Sequence, residues 1–157
     1  MEDVKTKRLY WQRTPEKRME LWRRFRKSFS VVDTKEICDE SWSWWIMSPD
    51  VKRLIDPYDP TSWLTFWEMI QVGQSCKYSK AVGAAFMIHY LNSNLNIVIY
   101  RVYDKIKNDI YITTLVENKF LLHPEYTEVI EMDFNNFDIQ EQWSITKILQ
   151  TIKYKTD

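Results

Sequence analysis

The sequence predicts an α+β fold: N-terminal helices, a central buried helix, an antiparallel sheet of three to four strands, and a C-terminal helix. Three observations predict it. Apolar residues recur at helical spacing between Met19 and Phe29. The most apolar run, Ala81 to Ile88, follows a helix-start signal. From Asn96 onward, short runs of β-branched and aromatic residues are separated by turn residues. A chain of 157 residues suits one domain, 1–157, able to bury its core without metals or disulfides, with residues 1–13 as a flexible basic arm.

Thr14-Pro15-Glu16-Lys17 reads as a helix start, with threonine as N-cap and proline where its missing N–H costs nothing. Met19, Trp22, Phe25 and Phe29 then form a stripe over 15–29, with Arg18, Arg23, Arg24 and Lys27 largely off it. Residues 30–47 show no clean period and read as mostly irregular, with a short strand or helical turn near Trp42 to Met47. Ser48-Pro49 opens a short helix through Leu54, which the Asp56-Pro57 and Asp59-Pro60 turns end. A further helix places Trp63, Trp67 and Ile70 on one face and stops at Gly73. Ser75 caps the next, 76–92, which is apolar nearly all round and must be buried on most sides.

NIVIYRVYD, DIYITTLV and FLLH are strands, the second and third joined by the tight Glu117-Asn118-Lys119 turn. YTEVIEM adds a fourth strand, and Ile145, Ile148, Leu149 and Ile152 mark a closing helix.

Composition excludes several classes. Gly73 and Gly83 are the only glycines, which argues against a phosphate-cradling loop. Two cysteines and two histidines without short spacing make no zinc signature, so neither metal nor cofactor is expected. Cys38 and Cys76 lie far apart with no secretory signal before them, which fits a reducing, cytoplasmic setting. The apolar run falls short of the ~20 residues a membrane helix needs, so no membrane partner is expected. The eight tryptophans serve packing and a contact surface.

Charge is unevenly placed. Residues 1–30 carry ten Lys or Arg against four acids, and the remainder twelve against eighteen. Arginines interleaved with rings in RMELWRRFRK suit nucleic acid or an acidic partner, with Arg23, Arg24 and Lys27 as the contacts. The plainer reading is the solvated face of an amphipathic helix.

Cys76 is the candidate nucleophile. At the first turn of the buried helix, free backbone N–H groups favour thiolate over thiol, and Lys77 or Lys80 adds to this. His89 lies thirteen residues along the same helix, roughly 20 Å away, and cannot be its base. His123, ending the third strand, is the candidate base, and Asp109, opening the second, the candidate orienting acid. The structural alternatives are a small packing cysteine and a His-Pro turn that terminates a strand.

GQSCKYSKAVGAAFMIHYL resembles the cysteine helix of the transglutaminase-like branch of papain-like cysteine enzymes. DIYITTLVENKFLLHPEY resembles that family's later strand pair, which carries a histidine and then an aspartate. The resemblance covers about residues 70 to 126 and departs at the site. Asp109 stands in the histidine's place and His123 in the aspartate's. A simple exchange would put Asp109 against the thiol and raise its pKa. The resemblance therefore implies the fold more than the activity.

The glycine-poor, tryptophan-rich texture also resembles accessory proteins of tailed phages. The functional expectation is a small cytoplasmic binding or accessory protein with a protein partner and no strong catalytic activity. A cysteine hydrolase or acyl-transferase and a nucleic-acid-associated protein are the alternatives.

Overall fold

A computed structural model describes residues 4–155. Six α-helices, α1 (Val4–Trp11), α2 (Pro15–Ser28), α3 (Thr34–Ile46), α4 (Phe66–Val72), α5 (Lys80–Leu91) and α6 (Ile145–Lys155), accompany one antiparallel sheet. Its strands are β1 (Ile97–Asp104), β2 (Asp109–Val116), β3 (Phe120–Leu122), β4 (Ile130–Glu131) and β5 (Phe137–Ser144), in the order β4-β3-β2-β1-β5. The class is the α+β arrangement expected, with five strands. Among the described residues, no helix is long and apolar enough to cross a membrane.

The helix-start signals behave as read for α2, where the Thr14 hydroxyl accepts from the Lys17 N–H at 3.2 Å. The expected basic arm carries α1, whose Tyr10 and Trp11 are buried. Its Lys7 is also buried, against Glu40 at 3.3 Å. Residues 30–47 depart from expectation: they form α3, capped by the Asp33 carboxylate on the Glu36 N–H. Ile37, Cys38, Glu40, Ser41, Trp42, Trp44 and Trp45 are all buried. A helix enclosed on several sides shows no amphipathic period, which is why the sequence hid it. The short helix expected over 49–54 is absent. Instead Asp50 bridges to Ser75 in parallel, with Ser75 N–H donating to Pro49 O at 2.9 Å and Val51 N–H to Ser75 O at 2.8 Å.

The helix leading to Gly73 is shorter than expected. A capping box at Thr65 and Glu68 opens α4, after a separate 3-10 turn over Pro60–Ser62. Gly73 closes it in the left-handed region, at φ 68°. Arg18, placed on the outer face by the sequence, lies buried against that end. Its Nε and Nη2 donate to the carbonyls of Ile70 and Gln71, each at 2.7 Å, and Nη1 donates to Arg13 O. A cation on the last carbonyls of a helix satisfies orphan acceptors and opposes the dipole.

The central helix lies between α3 and the sheet. Gly83 lets it approach α3, because a Cβ there would meet the Trp45 ring at 2.5 Å. On the other side Thr114 Oγ1 donates to Ala81 O at 2.7 Å. Strand alternation divides the sheet residues into two groups. Ile97, Ile99, Ile112, Val116 and Leu122 join the main core with α5. Tyr100, Val102, Tyr111, Leu115, Leu121 and Phe137 form a second cluster on the opposite face.

Candidate functional site

Cys76 precedes α5 by a full turn rather than standing on it, which corrects the expected 76–92 helix. Ser75 does not cap the helix; Ser79 is the N-cap position. The Cys76 N–H donates to Ser79 Oγ at 2.8 Å, and Cys76 O accepts from the Ser79 and Lys80 N–H groups at 3.1 and 3.3 Å. The Asp50–Ser75 bridge draws residues 50–55 alongside this turn. Burial would push the thiol up. The Ile55 N–H, the Ser79 hydroxyl, and the Leu54 and Tyr78 N–H groups outweigh it and hold the pKa below the ordinary cysteine value. The downward shift therefore comes from a local group of donors, not from a helix terminus. The side chain is only 1% exposed.

Beside it stands Lys80, also buried, its Nζ donating to Ser48 O at 2.7 Å, Ser75 Oγ at 2.9 Å and Ser48 Oγ at 3.1 Å. Asp50 Oδ1, on a largely exposed side chain, lies 3.1 Å from the same Nζ. Burial lowers the Lys80 pKa, and Asp50 and the Cys76 sulfur oppose that shift. The sequence marked Lys80 as a neighbour of the thiol but gave no sign of Ser48.

His123 is elsewhere. It sits with Tyr111 and Phe137 on the sheet face away from α5, ring centroids 4.6 and 5.9 Å off. Both ring nitrogens are engaged. Nδ1 accepts from the Glu125 N–H at 3.1 Å, which places the proton on Nε2, and Nε2 donates to Asp104 Oδ2 at 2.8 Å. Both side chains are closed to solvent. Burial lowers the His123 pKa against the pull of Asp104, so the ring is neutral at pH 7. Asp104 Oδ1 accepts from the Ile106 and Lys107 N–H groups, tying the pair to the β1–β2 turn.

Asp109 is not the carboxylate behind His123. It is exposed and accepts from Lys77 Nζ at 2.7 Å, a contact that holds its pKa below the carboxylate range. The same Nζ lies 4.8 Å from the Tyr111 ring centroid. Among the described residues, no hydrogen bond joins Cys76, His123 and Asp109 to one another. The reason is the pleat: Asp104 and His123 both turn to the face of the second cluster, whereas Cys76 belongs to the main core. Alternation along IVIYRVYD could have flagged Asp104, since it shares a face with Val102 and Tyr100.

On α2, Arg23, Arg24 and Lys27 are exposed, and Arg24 pairs with Glu20 at 2.6 Å. Among the described residues, no group of three or more His, Cys, Asp or Glu gathers as a metal site.

The fold is similar to solved structures of LapG from Legionella pneumophila. The calcium-bound form aligns with TM-score 0.70 at 11% identity, over 99% of this chain and 100% of that one. The EGTA-treated form gives TM-score 0.67 at 12%, and a third structure 0.65 at 14%, each over 99% of this chain and 98% of LapG. The likeness is one of fold. By sequence the chain matches no family model and no curated protein. In this fold Cys76 stands ahead of the central helix, while the imidazole of His123 and the Asp104 carboxylate are paired on the face of the second cluster.

Proposed function

We propose that this chain is a small binding or accessory protein on a transglutaminase-like scaffold, without cysteine-enzyme turnover. The observation that carries the reading is the double engagement of His123. With Nε2–H on Asp104 and Nδ1 on the Glu125 N–H, the imidazole has no free nitrogen for a thiol. Two free, buried cysteines support a reducing cytoplasmic setting, and the tryptophan-rich composition supports an accessory role of phage type with a protein partner.

Iodoacetamide labelling near pH 6.5 tests it. Cys76 in the folded chain is expected to react no faster than in an unfolded control, and His123→Gln is expected to leave the folded rate unchanged. Rapid labelling that His123→Gln slows would instead identify a cysteine hydrolase or acyl-transferase, with Cys76 as nucleophile.

A second reading rests on the outer face of α2, where Arg23, Arg24 and Lys27 meet solvent. There the protein would hold nucleic acid through phosphate contacts. Salt-sensitive retention on single-stranded DNA, lost when the three become Glu, is the expected result. Retention unchanged by those substitutions removes α2 as the contact.

A further inference from the structure

The two edges of the sheet differ. β4 is two residues long, whereas β5 runs for eight, Phe137–Ser144, and pairs on one side only, with β1. Residues 138–142 are all exposed. Among the described residues, no backbone group outside the β1 ladder bonds to their backbone. The Gln142 N–H donates instead to the carboxylate of adjacent Glu141 at 3.1 Å, a side chain standing in for a neighbouring strand. An open edge of this length is a template for one more strand.

The side chains select the strand. Between Lys119 and Lys147 lie six acids, Glu125, Glu128, Glu131, Asp133, Asp138 and Glu141, and no Lys or Arg. Asp138 and Glu141 stand on β5 itself, opposite Tyr103 and Arg101, and so share one face of the sheet. Ile139 and Gln142, opposite Val102 and Tyr100, share the other, where Ile139 is 42% exposed. The cations nearby compete weakly for the acids. Lys105 meets Asp138 at 3.4 Å in an exposed pairing, and Arg101 is held by Gln140 Oε1 and Pro57 O.

We propose that β5 is the docking edge for an extended basic segment of a partner protein, which adds to the sheet as a sixth strand. Alternation along β5 sets its pattern: Lys or Arg beside Asp138 and Glu141, and β-branched residues on the side of Ile139. A second copy of the chain does not fit this edge. Antiparallel pairing of two β5 strands would bring the acids of one copy beside those of the other. The bulge at Gln140, opposite the Arg101–Val102 step, and the like charges guard β5 against its own kind, but acids of one sign leave it open to a basic strand. The inference deepens the binding role proposed above by naming the kind of partner. Labelling of Cys76 tests that role separately, so either can fail without the other.

The probe is a capped seven-residue peptide of alternating valine and lysine carrying a fluorophore. Two controls accompany it: valine alternating with glutamate, and the lysine peptide N-methylated at alternate residues, which keeps the charge but cannot pair along one edge. Fluorescence anisotropy with the full chain should show the lysine peptide binding at least about tenfold tighter than either control. In ¹⁵N NMR the amide shifts should concentrate at residues 138–142. Asp138→Lys combined with Glu141→Lys, both at exposed positions, should weaken the peptide about tenfold or more. Should that variant fold poorly, the N-methylated control on the unaltered chain still decides. No binding, equal binding of the N-methylated peptide, shifts centred elsewhere, or self-association of the chain through β5 would overturn the proposal.

Discussion

His123 Nε2 donates to Asp104 Oδ2 at 2.8 Å, with both side chains closed to water and the second imidazole nitrogen held by the Glu125 N–H. The pair fastens two turns to the same sheet face. One, at residues 105–108, hangs from Asp104 through the Ile106 and Lys107 N–H groups. The other follows His123, whose carbonyl accepts from the Tyr126 N–H at 2.9 Å. A histidine and a carboxylate so arranged resemble the rear half of a catalytic triad, but here they stabilise turns.

Removing the charge should therefore cost stability. Asp104→Asn is expected to lower unfolding free energy by about 1–3 kcal/mol, because a charge-assisted bond in a dry setting becomes a neutral one. Urea denaturation measures it. A loss indistinguishable from an exposed Asp→Asn change would contradict the role given to the pair.

The pair also sets a pH dependence. Burial holds the His123 pKa below its ordinary value, so the unfolded chain takes up a proton first as pH falls. Stability from this group is complete above about pH 6.5, the unfolded pKa, and declines toward the lower folded value. His89, also lowered by burial, adds in the same direction. In His123→Gln the fall in stability below pH 6.5 should be shallower, leaving the His89 share. Chemical denaturation at half-unit pH steps reads this.

Close approach of α5 and α3 depends on a missing side chain. In Gly83→Ala the new Cβ would meet Trp45 ring atoms at 2.5 Å, in a core already filled by large rings. Alanine's better helix propensity returns only about 1 kcal/mol. A net loss of about 1–2 kcal/mol is expected, since overpacking commonly costs about 1–3. A higher melting temperature for the variant would show that the two helices can separate freely.

The elements legible in the sequence were those whose pattern is local. The α2 stripe carries a cap and a period, the strands β1, β2 and β3 their β-branched and aromatic runs, and α5 an unbroken apolar run, each visible over a short stretch. The misses share a cause: the partner lies far along the chain. Arg18 reads as an outer charge because Ile70 and Gln71, whose carbonyls it caps, are more than fifty positions away. α3 lacks a period because its tryptophans pack on more than one side. β5 escaped notice because it is an edge strand, exposed from Asp138 to Gln142 and buried only at Phe137 and Trp143. At the site, Cys76 was legible as a candidate. Asp104 could be placed on the face of Val102 and Tyr100, but its pairing with His123 depends on which face of the sheet receives that histidine.

Lys80 offers a contrast between buried and exposed partners. Lys80→Met leaves the Ser75 hydroxyl and the Ser48 carbonyl short of a donor, both in buried residues, while the Ser48 hydroxyl still accepts from that of Ser75. A loss of about 1–3 kcal/mol is expected. Asp50→Asn touches the same ammonium from solvent and should cost less than about 1 kcal/mol. Equal costs for the two variants would mean that the ion pair, rather than the serine cradle, holds the lysine.

The two thiols should separate by chemistry once the chain is given time to open locally. Both are buried, so access limits both, but their surroundings differ. Burial pushes the Cys38 thiol up to about 12, and nearby Asp39 adds to the rise. Cys76 is shifted the other way by the donors around its sulfur. The thiolate is the reacting form, so an opening that admits reagent while preserving these surroundings favours Cys76. Prolonged incubation with iodoacetamide at pH 8 without denaturant should therefore modify Cys76 well ahead of Cys38. Peptide mass mapping over time measures the order. Ser79→Ala removes one donor to the sulfur and should narrow the gap, while full denaturation should abolish it. Equal rates in the folded chain would mean that reaction proceeds through global unfolding, where the nest no longer exists.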